Sequence, residues 1–252
     1  MPVVIEADTG DAPVRAIFST REGGVSTGGH ASLNLGCASG DRPDAVRANR
    51  EALARAAGFD PVRAVVLAQV HGAAVVTVGP DGGAGTFTGS LEGVAECDAA
   101  VTRSPGVALL AMGADCPVIS MWSDDGAVVA AVHAGWRGIV EGVIAAGVEA
   151  TGARPATLHA AVGPHVGPCC YPVDEGLRKV MARAHGADVV SGDAVDLGLA
   201  CRRALEQEGL APERIHVQDA CTACAQARFF SYRRDGAATG RQAAVVWIED
   251  GT

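Results

Sequence analysis

Three residues of metal-ligand type stand beside apolar runs. His71 interrupts AQVHGAAVV, Cys116 opens CPVISMW after Ala-Asp, and His133 ends AVVAAVH before Ala-Gly-Trp-Arg-Gly. Each falls where a strand should meet a loop, so a rigid sheet could hold the side chain while the loop leaves room for a ligand. Zinc takes Cys thiolate and His nitrogen. Three protein ligands with one open position is the arrangement of catalytic sites. The spacing alone is scattered, unlike a knuckle of paired cysteines. The plainer reading is a small buried thiol and two satisfied loop histidines. A third reading makes Cys116 a nucleophile activated by His71 or His133.

Four more cysteines invite the same question. Cys221 and Cys224 form a C-x-x-C in DACTAC, and Cys169 and Cys170 are adjacent in GPHVGPCCYPV. The first pair reads as a redox pair or half of a zinc knuckle. The second could supply the other half, but adjacent side chains tend to diverge, so separate buried or half-exposed thiols are expected. Among the arginines, Arg137 follows His133 by four residues and opens a predicted helix, a good place to hold an anion. Arg50, beside Asn49, and the Arg233–Arg234 pair of SYRRDG have the ordinary reading of surface charge.

The elements that must position these residues are short. Strands are expected over Arg15–Ser19, Ala64–Val70, Ala74–Val78, Ala99–Thr102, Val107–Met112, Val118–Trp122, Ala127–His133, Leu158–Val162, Ile215–Val217 and Ala243–Ile248. Helices are expected over Pro43–Gly58, Trp136–Thr151, Asp174–His185 and Asp196–Gly209. Strands often follow one another with no helix between, which argues for a mixed-sheet α+β domain rather than a doubly wound parallel sheet. We treat residues 1–252 as one domain. The Gly-rich stretch Gly79–Glu92 is either a mobile lid or a plain surface loop.

Composition sets further bounds. The 252 residues are 48% hydrophobic, enough for a substantial core. A net charge of −9 argues against a nucleic-acid partner. The start, MPVVIEADTG, does not resemble a secretory signal, and no apolar run approaches the length of a membrane span. A soluble, cytoplasmic protein whose cysteines are thiols or metal ligands is expected. No phosphate-binding G-x-x-x-x-G-K-[ST] loop is present, and neither is the His-x-Glu of the zinc deaminases. The seven histidines include no His-x-His pair, which a multicopper oxidase would need.

Taken in order, TREGGVSTGGHASLNLG, GDRPDAVRANR, QVHG, ADCPV, HAGWRG, GPHVGPCCYPV and FFSYRRDGAATGR resemble the laccase-domain family. That family is also called the multicopper polyphenol oxidase, bacterial purine nucleoside phosphorylase and peptidoglycan editing factor family. The likeness runs from about Ala16 to Ile248. It implies an α/β/β/α layered fold similar to cysteine-hydrolase-like toxin domains, and a zinc ion held by His71, Cys116 and His133. It implies phosphorolysis of adenosine, inosine and methylthioadenosine, with some adenosine deamination. Pro117, directly after Cys116, should stiffen that turn. On this reading Cys116, His71, His133 and Arg137 carry catalysis. Ser32, Asn34, Arg50 and Arg137 contact nucleoside and phosphate, and no membrane or nucleic acid is a partner. The sequence does not set the oligomeric state, and a monomer is the default expectation. The toxin-like fold keeps a Cys–His amidase acting on peptidoglycan precursors as the alternative, by analogy of fold. A zinc-stabilised binding module is the third.

Overall fold

A computed structural model describes residues 1–250. The elements run β1 (Val4–Glu6), β2 (Val14–Ser19), α1 (Pro43–Ala57), β3 (Val65–Val66), β4 (Val75–Val78), β5 (Ala99–Thr102), β6 (Leu109–Gly113), β7 (Val118–Ser123) and β8 (Val129–His133). They continue with α2 (Trp136–Glu141), α3 (Val143–Thr151), β9 (Leu158–Val162), α4 (Glu175–His185), β10 (Val190–Ser191) and β11 (Ala194–Val195). The chain then forms α5 (Leu197–Gln207), β12 (Ile215–Val217), α6 (Tyr232–Asp235) and β13 (Gln242–Ile248).

Two mixed sheets face each other. One has the order β1-β2-β13-β6-β3 and the other β12-β9-β7-β8-β5-β4. The apolar side chains sort into three layers that explain this. Val14, Ala16 and Phe18 of β2 and Ala244, Val246 and Ile248 of β13 meet Val118, Trp122, Val129 and Ala131 between the sheets. On the outer face of the five-stranded sheet, Ile17, Val245 and Trp247 meet Leu53, Ala54 and Ala57 of α1. On the outer face of the six-stranded sheet, Ile119, Met121, Ala130 and Val132 meet Ile144 and Val148 of α3 and Leu197, Ala200 and Leu205 of α5. The architecture is therefore the expected α+β one, in α/β/β/α layers. Strands apolar on both faces read as continuous runs rather than alternating ones, because both faces are covered.

The element boundaries hold well at β5, β9 and β12, which match the expected spans, and α1 ends at Gly58 as expected. Two expectations fail for a local reason. The long helix Trp136–Thr151 is two helices, broken at Gly142, whose φ of 88° is left-handed. The strand Ala64–Val70 shrinks to Val65–Val66, because Val66 and Ala68 bond to the backbone of the loop at Val94 and Ala95, and Val70 and His71 donate to the Asp98 carboxylate, instead of continuing the ladder with β6. Short strands β1, β10 and β11 carry too few residues to show a period and escaped the sequence reading.

The Gly79–Glu92 stretch is anchored. Phe87 is fully buried beside Phe59, with ring centroids 5.9 Å apart, and Arg47 and Arg50 of α1 donate to the carbonyls of Thr88, Gly89 and Phe87. This is a pinned surface loop rather than a lid.

Candidate metal centre

A strand end, a turn and a loop converge. β8 delivers His133 as its last residue, Cys116 sits in the turn between β6 and β7, and His71 lies in the loop after β3. Their ligand atoms all lie within 4.8 Å of one another. The two imidazoles meet edge to face, with centroids 4.9 Å apart and planes at 83°. His133 is buried, Cys116 is half-buried and His71 is exposed, so the group has a closed side and an accessible side.

Asp98, one residue before β5, organises the centre. Its carboxylate is fully buried and accepts from the backbone N–H groups of Val70, His71 and Gly72 at 3.1, 3.0 and 2.8 Å. It also bonds His133 Nδ1 at 2.8 Å. One side chain thus fixes both histidines. The bond to Nδ1 leaves Nε2 as the free nitrogen, the usual support of a metal-bound imidazole. His71 needs this help, since its φ of 64° is a conformation that residues with a Cβ rarely adopt. Gln69 ties the same loop to β6 through both the N–H and the C=O of Met112.

The Cys116 turn is held from the other side. Asp115 accepts from Thr222 Oγ1 at 2.6 Å and from the Arg233 N–H at 2.6 Å, and its own carbonyl accepts from Val166 at 2.9 Å. Gly135 closes the centre. A Cβ there would stand 3.0 Å from His71 Cδ2, 3.3 Å from Cys116 Sγ and 3.6 Å from His133 Cε1. A side chain at this position would crowd all three ligands.

The electrostatics follow from this packing. Burial opposes charge on Cys116, yet hydrogen bonds and positive charge from His133 and His71 outweigh it and bring the thiol down to about 6. Burial also opposes charge on His133, but hydrogen bonds to Asp98 and Cys116 lift the imidazole to about 9. Asp98 lies below the ordinary carboxylate range. Burial pushes it up, and the bonds from His133, Gly72 and Val70 more than offset that. A thiolate and two imidazoles backed by a buried carboxylate suit a divalent borderline-soft cation such as zinc. The donors fit that ion. They do not supply the imidazole-rich clusters of a multicopper oxidase: among the described residues, only this group and a four-cysteine group converge on a metal-sized space.

Other residues named from sequence behave differently. Arg137 lies in the first turn of α2, exposed, with its guanidinium 5.1 Å over the Trp136 ring. Helix α2 has only six residues, so the anion-attracting field of a long helix does not reinforce it. Arg50 is 1% exposed and donates to the carbonyls of Leu35 and Phe87. Asn34 is fully buried, donates to Gly36 O and Asp41 Oδ2, and accepts from Gly36 N and Arg241 N. Ser32 donates to Arg21 O and accepts from Gly24 N. The polar groups of these three residues build the loop itself.

The rim nearest Cys116 holds Tyr171 and Arg241, which the sequence reading passed over, and Arg233, which it read as surface charge. Burial pushes the Tyr171 phenol up to about 12, with the negative charge of Cys116 adding to it and Arg233 opposing. Arg233 stacks over the Tyr171 ring at 5.0 Å. Burial lowers Arg241, with Cys116 and Asp115 acting against that shift, so its guanidinium shares their field. Asp98 and Gly135 were also missed. The signal for Asp98 was an acid directly before an apolar strand in ECDAAV, which reads as a surface turn until the fold folds it inward.

The sequence profile of the family described as multi-copper polyphenol oxidoreductase laccase matches residues 15–249. The purine nucleoside phosphorylase YfiH of Shigella flexneri is 38% identical over 241 residues, covering 93% of this chain and 94% of the relative. A purine nucleoside phosphorylase of Corynebacterium glutamicum is 37% identical, covering 96% of this chain and 97% of the relative. Among solved structures, YlmD from Geobacillus stearothermophilus superimposes with a TM-score of 0.85 at 32% identity, over 95% of this chain and 93% of that one.

Proposed function

The chain belongs to the laccase family whose relatives carry the name purine nucleoside phosphorylase, and from that premise we propose that it is a zinc-dependent purine nucleoside phosphorylase acting on adenosine, inosine and methylthioadenosine, with adenosine deamination as a side activity. The observation that carries this reading is the meeting of His71, Cys116 and His133 around one glycine, with Asp98 behind both histidines. His71, Cys116 and His133 would hold the zinc, which would supply Lewis-acid chemistry there.

The chain's own residues have separable tasks. Asp98 keeps the Nδ1 proton of His133 in place, so that Nε2 faces the centre. The Asp115–Thr222 and Asp115–Arg233 bonds hold the Cys116 turn against the chain's last third. Arg137 and Arg241 hold phosphate beside the ribose, since a guanidinium matches phosphate oxygens in pairs. Ser32, Asn34 and Arg50 act one step back, shaping the loop that leads to Arg241 rather than touching the nucleoside. In the reaction, a phosphate oxygen forms a bond to the ribose C1′, the glycosidic C–N bond breaks, and the purine leaves with its electron pair and takes up a proton.

The Asp98–His133–Cys116 line also favours a second reading, because an acid, an imidazole and a thiolate in that order can make a nucleophile. That would be an amidase, for which peptidoglycan precursors are the substrate class. His71 separates the two, since a dyad has no use for a second imidazole and a zinc site requires it.

The test is product analysis of purified protein with inosine or adenosine, with and without phosphate. Phosphorolysis gives free base and ribose 1-phosphate only when phosphate is present. Hydrolysis gives base without it, and deamination gives ammonia with the glycosidic bond intact. Base release that persists unchanged in Cys116→Ala would come from a contaminant and would defeat the assignment.

A further inference from the structure

The four cysteines outside this centre do not diverge. Cys169 and Cys170 lie on a 3₁₀ turn, Pro168–Cys170, after β9, and Cys221 and Cys224 lie on the loop after β12. Their sulfurs all fall within 4.8 Å of one another. Cys224 Sγ is 3.6 Å from Cys169 Sγ and 3.4 Å from Cys170 Sγ. Those separations are far longer than the ~2.05 Å of a disulfide bond. They match a tetrahedral zinc site, where Zn–S bonds of about 2.3 Å put the sulfurs about 3.8 Å apart. The tight 3₁₀ turn overcomes the divergence expected of neighbouring cysteines.

A second observation points the same way. The backbone N–H of Gly167 donates to Cys221 Sγ at 3.3 Å, and the N–H of Cys224 is directed at the same sulfur. Two amide donors on the first sulfur of a C-x-x-C are the surroundings of a thiolate. Cys169 and Cys224 are exposed, so an ion can enter from solvent.

We propose that Cys169, Cys170, Cys221 and Cys224 bind a structural zinc ion as a tetrathiolate site, separate from the His71–Cys116–His133 centre. All four positions are filled by protein, so the ion has no place for substrate and its role is to join two loops. The join has a consequence for the other centre. Thr222, inside the C-x-x-C, is the residue whose hydroxyl holds Asp115, next to Cys116. The same loop is paired to the first by the His165–Cys221 bridge and by the Thr222 N–H on the His165 carbonyl. The zinc clamp thus braces the turn that carries the thiolate of the first centre.

Elemental analysis of the full chain, purified without chelators, tests this. The wild type should hold two zinc ions per chain, one for each convergent group. His71→Ala should keep one, and so should the Cys221→Ser/Cys224→Ser double variant. Cobalt loaded into His71→Ala should give the intense thiolate-to-metal absorption of a four-sulfur site, a readout independent of activity. If the double variant does not fold, the wild type and His71→Ala decide the matter alone. One zinc in the wild type and none in His71→Ala would overturn the proposal. So would a disulfide among the four residues in the protein as purified, or four thiols that react with a thiol reagent without releasing metal.

Discussion

The two convergent groups are built from opposite materials. His133 ends the buried strand β8, Cys116 lies in the short turn between the buried strands β6 and β7, and His71 lies in the loop after β3. One fully buried carboxylate, Asp98, holds both histidines. Cys169, Cys170, Cys221 and Cys224 sit on two surface loops with backbone amides as their support. The first has mixed ligands, three in number, and one exposed edge. The second has four alike and no vacancy. The difference teaches what each can do. A sheet fixes a few ligands rigidly enough to leave a position empty, which catalysis needs. Loops lack that rigidity, and four thiolates closing on one ion supply it instead.

The largest effect should come from Cys116→Ala. Removing the one thiolate of the first centre should lower its zinc occupancy and reduce base release to background, while the four-cysteine zinc stays bound. Metal content and turnover measured on the same sample check this. Loss of both ions together would break the idea that the centres are separate.

Asp98→Asn comes next. The amide keeps the size but gives up a charge and one acceptor oxygen, so four hydrogen bonds fall on a poorer partner. Zinc affinity at the first centre should drop by about 10–100-fold, the usual effect of losing such support. Competition against a coloured chelator measures it. An unchanged affinity would mean that the strand ends alone set the geometry.

Gly135→Ala probes the closeness of the ligands. Its new methyl would press on His71 at 3.0 Å and on Cys116 at 3.3 Å, with no other contact of its own lost. Turnover should fall about tenfold or more, since misplacing reacting groups by about 1 Å can cost roughly 10²-fold. Circular dichroism should remain that of the wild type. Full activity would show that the centre has slack that the packing does not suggest.

For the second group, the Cys221→Ser/Cys224→Ser variant should affect stability more than chemistry. A loss of about 2 kcal/mol would lower Tm by roughly 4–8 °C in a chain of this size. Base release at 25 °C should drop only a few-fold, through the Thr222–Asp115 bond. Calorimetry and a rate assay together separate the two effects, and turnover lost at an unchanged Tm would reverse the roles assigned to the two groups.

The smallest effect is expected at Arg137. Arg137→Ala should raise the KM for phosphate several-fold with kcat little changed. Stability should stay within about 0.5 kcal/mol, as for other exposed residues. Saturation curves in phosphate and in nucleoside check it. If neither KM moves, Arg137 is not a phosphate contact and Arg241 carries that role without it.

Much of this was legible in one dimension. Runs such as AVVAAVH and VALLAM announce strands covered on both faces, because burial on two sides removes the polar alternation. Helix α1 announced its own end, since Gly58 takes up the left-handed cap that other residues resist. His71, Cys116 and His133 could be picked out by type and by their place at strand ends. These are properties of a residue and its near neighbours along the chain, and local sterics and hydrophobicity decide them.

What the tertiary structure decided is which of those residues meet, and on what support. Asp98 and His71 are 27 positions apart, and Thr222 and Asp115 are 107 apart, yet each pair is hydrogen-bonded. No local pattern encodes such contacts, because they exist only when two sheets have stacked and brought distant strand ends to one edge. The same stacking buries Arg50 and Asn34, which read as surface residues or ligand contacts in the sequence, and bunches four cysteines that the sequence had left apart. Residue type sets the chemistry a side chain can do. Whether it does that chemistry depends on desolvation and on partners that only the fold supplies.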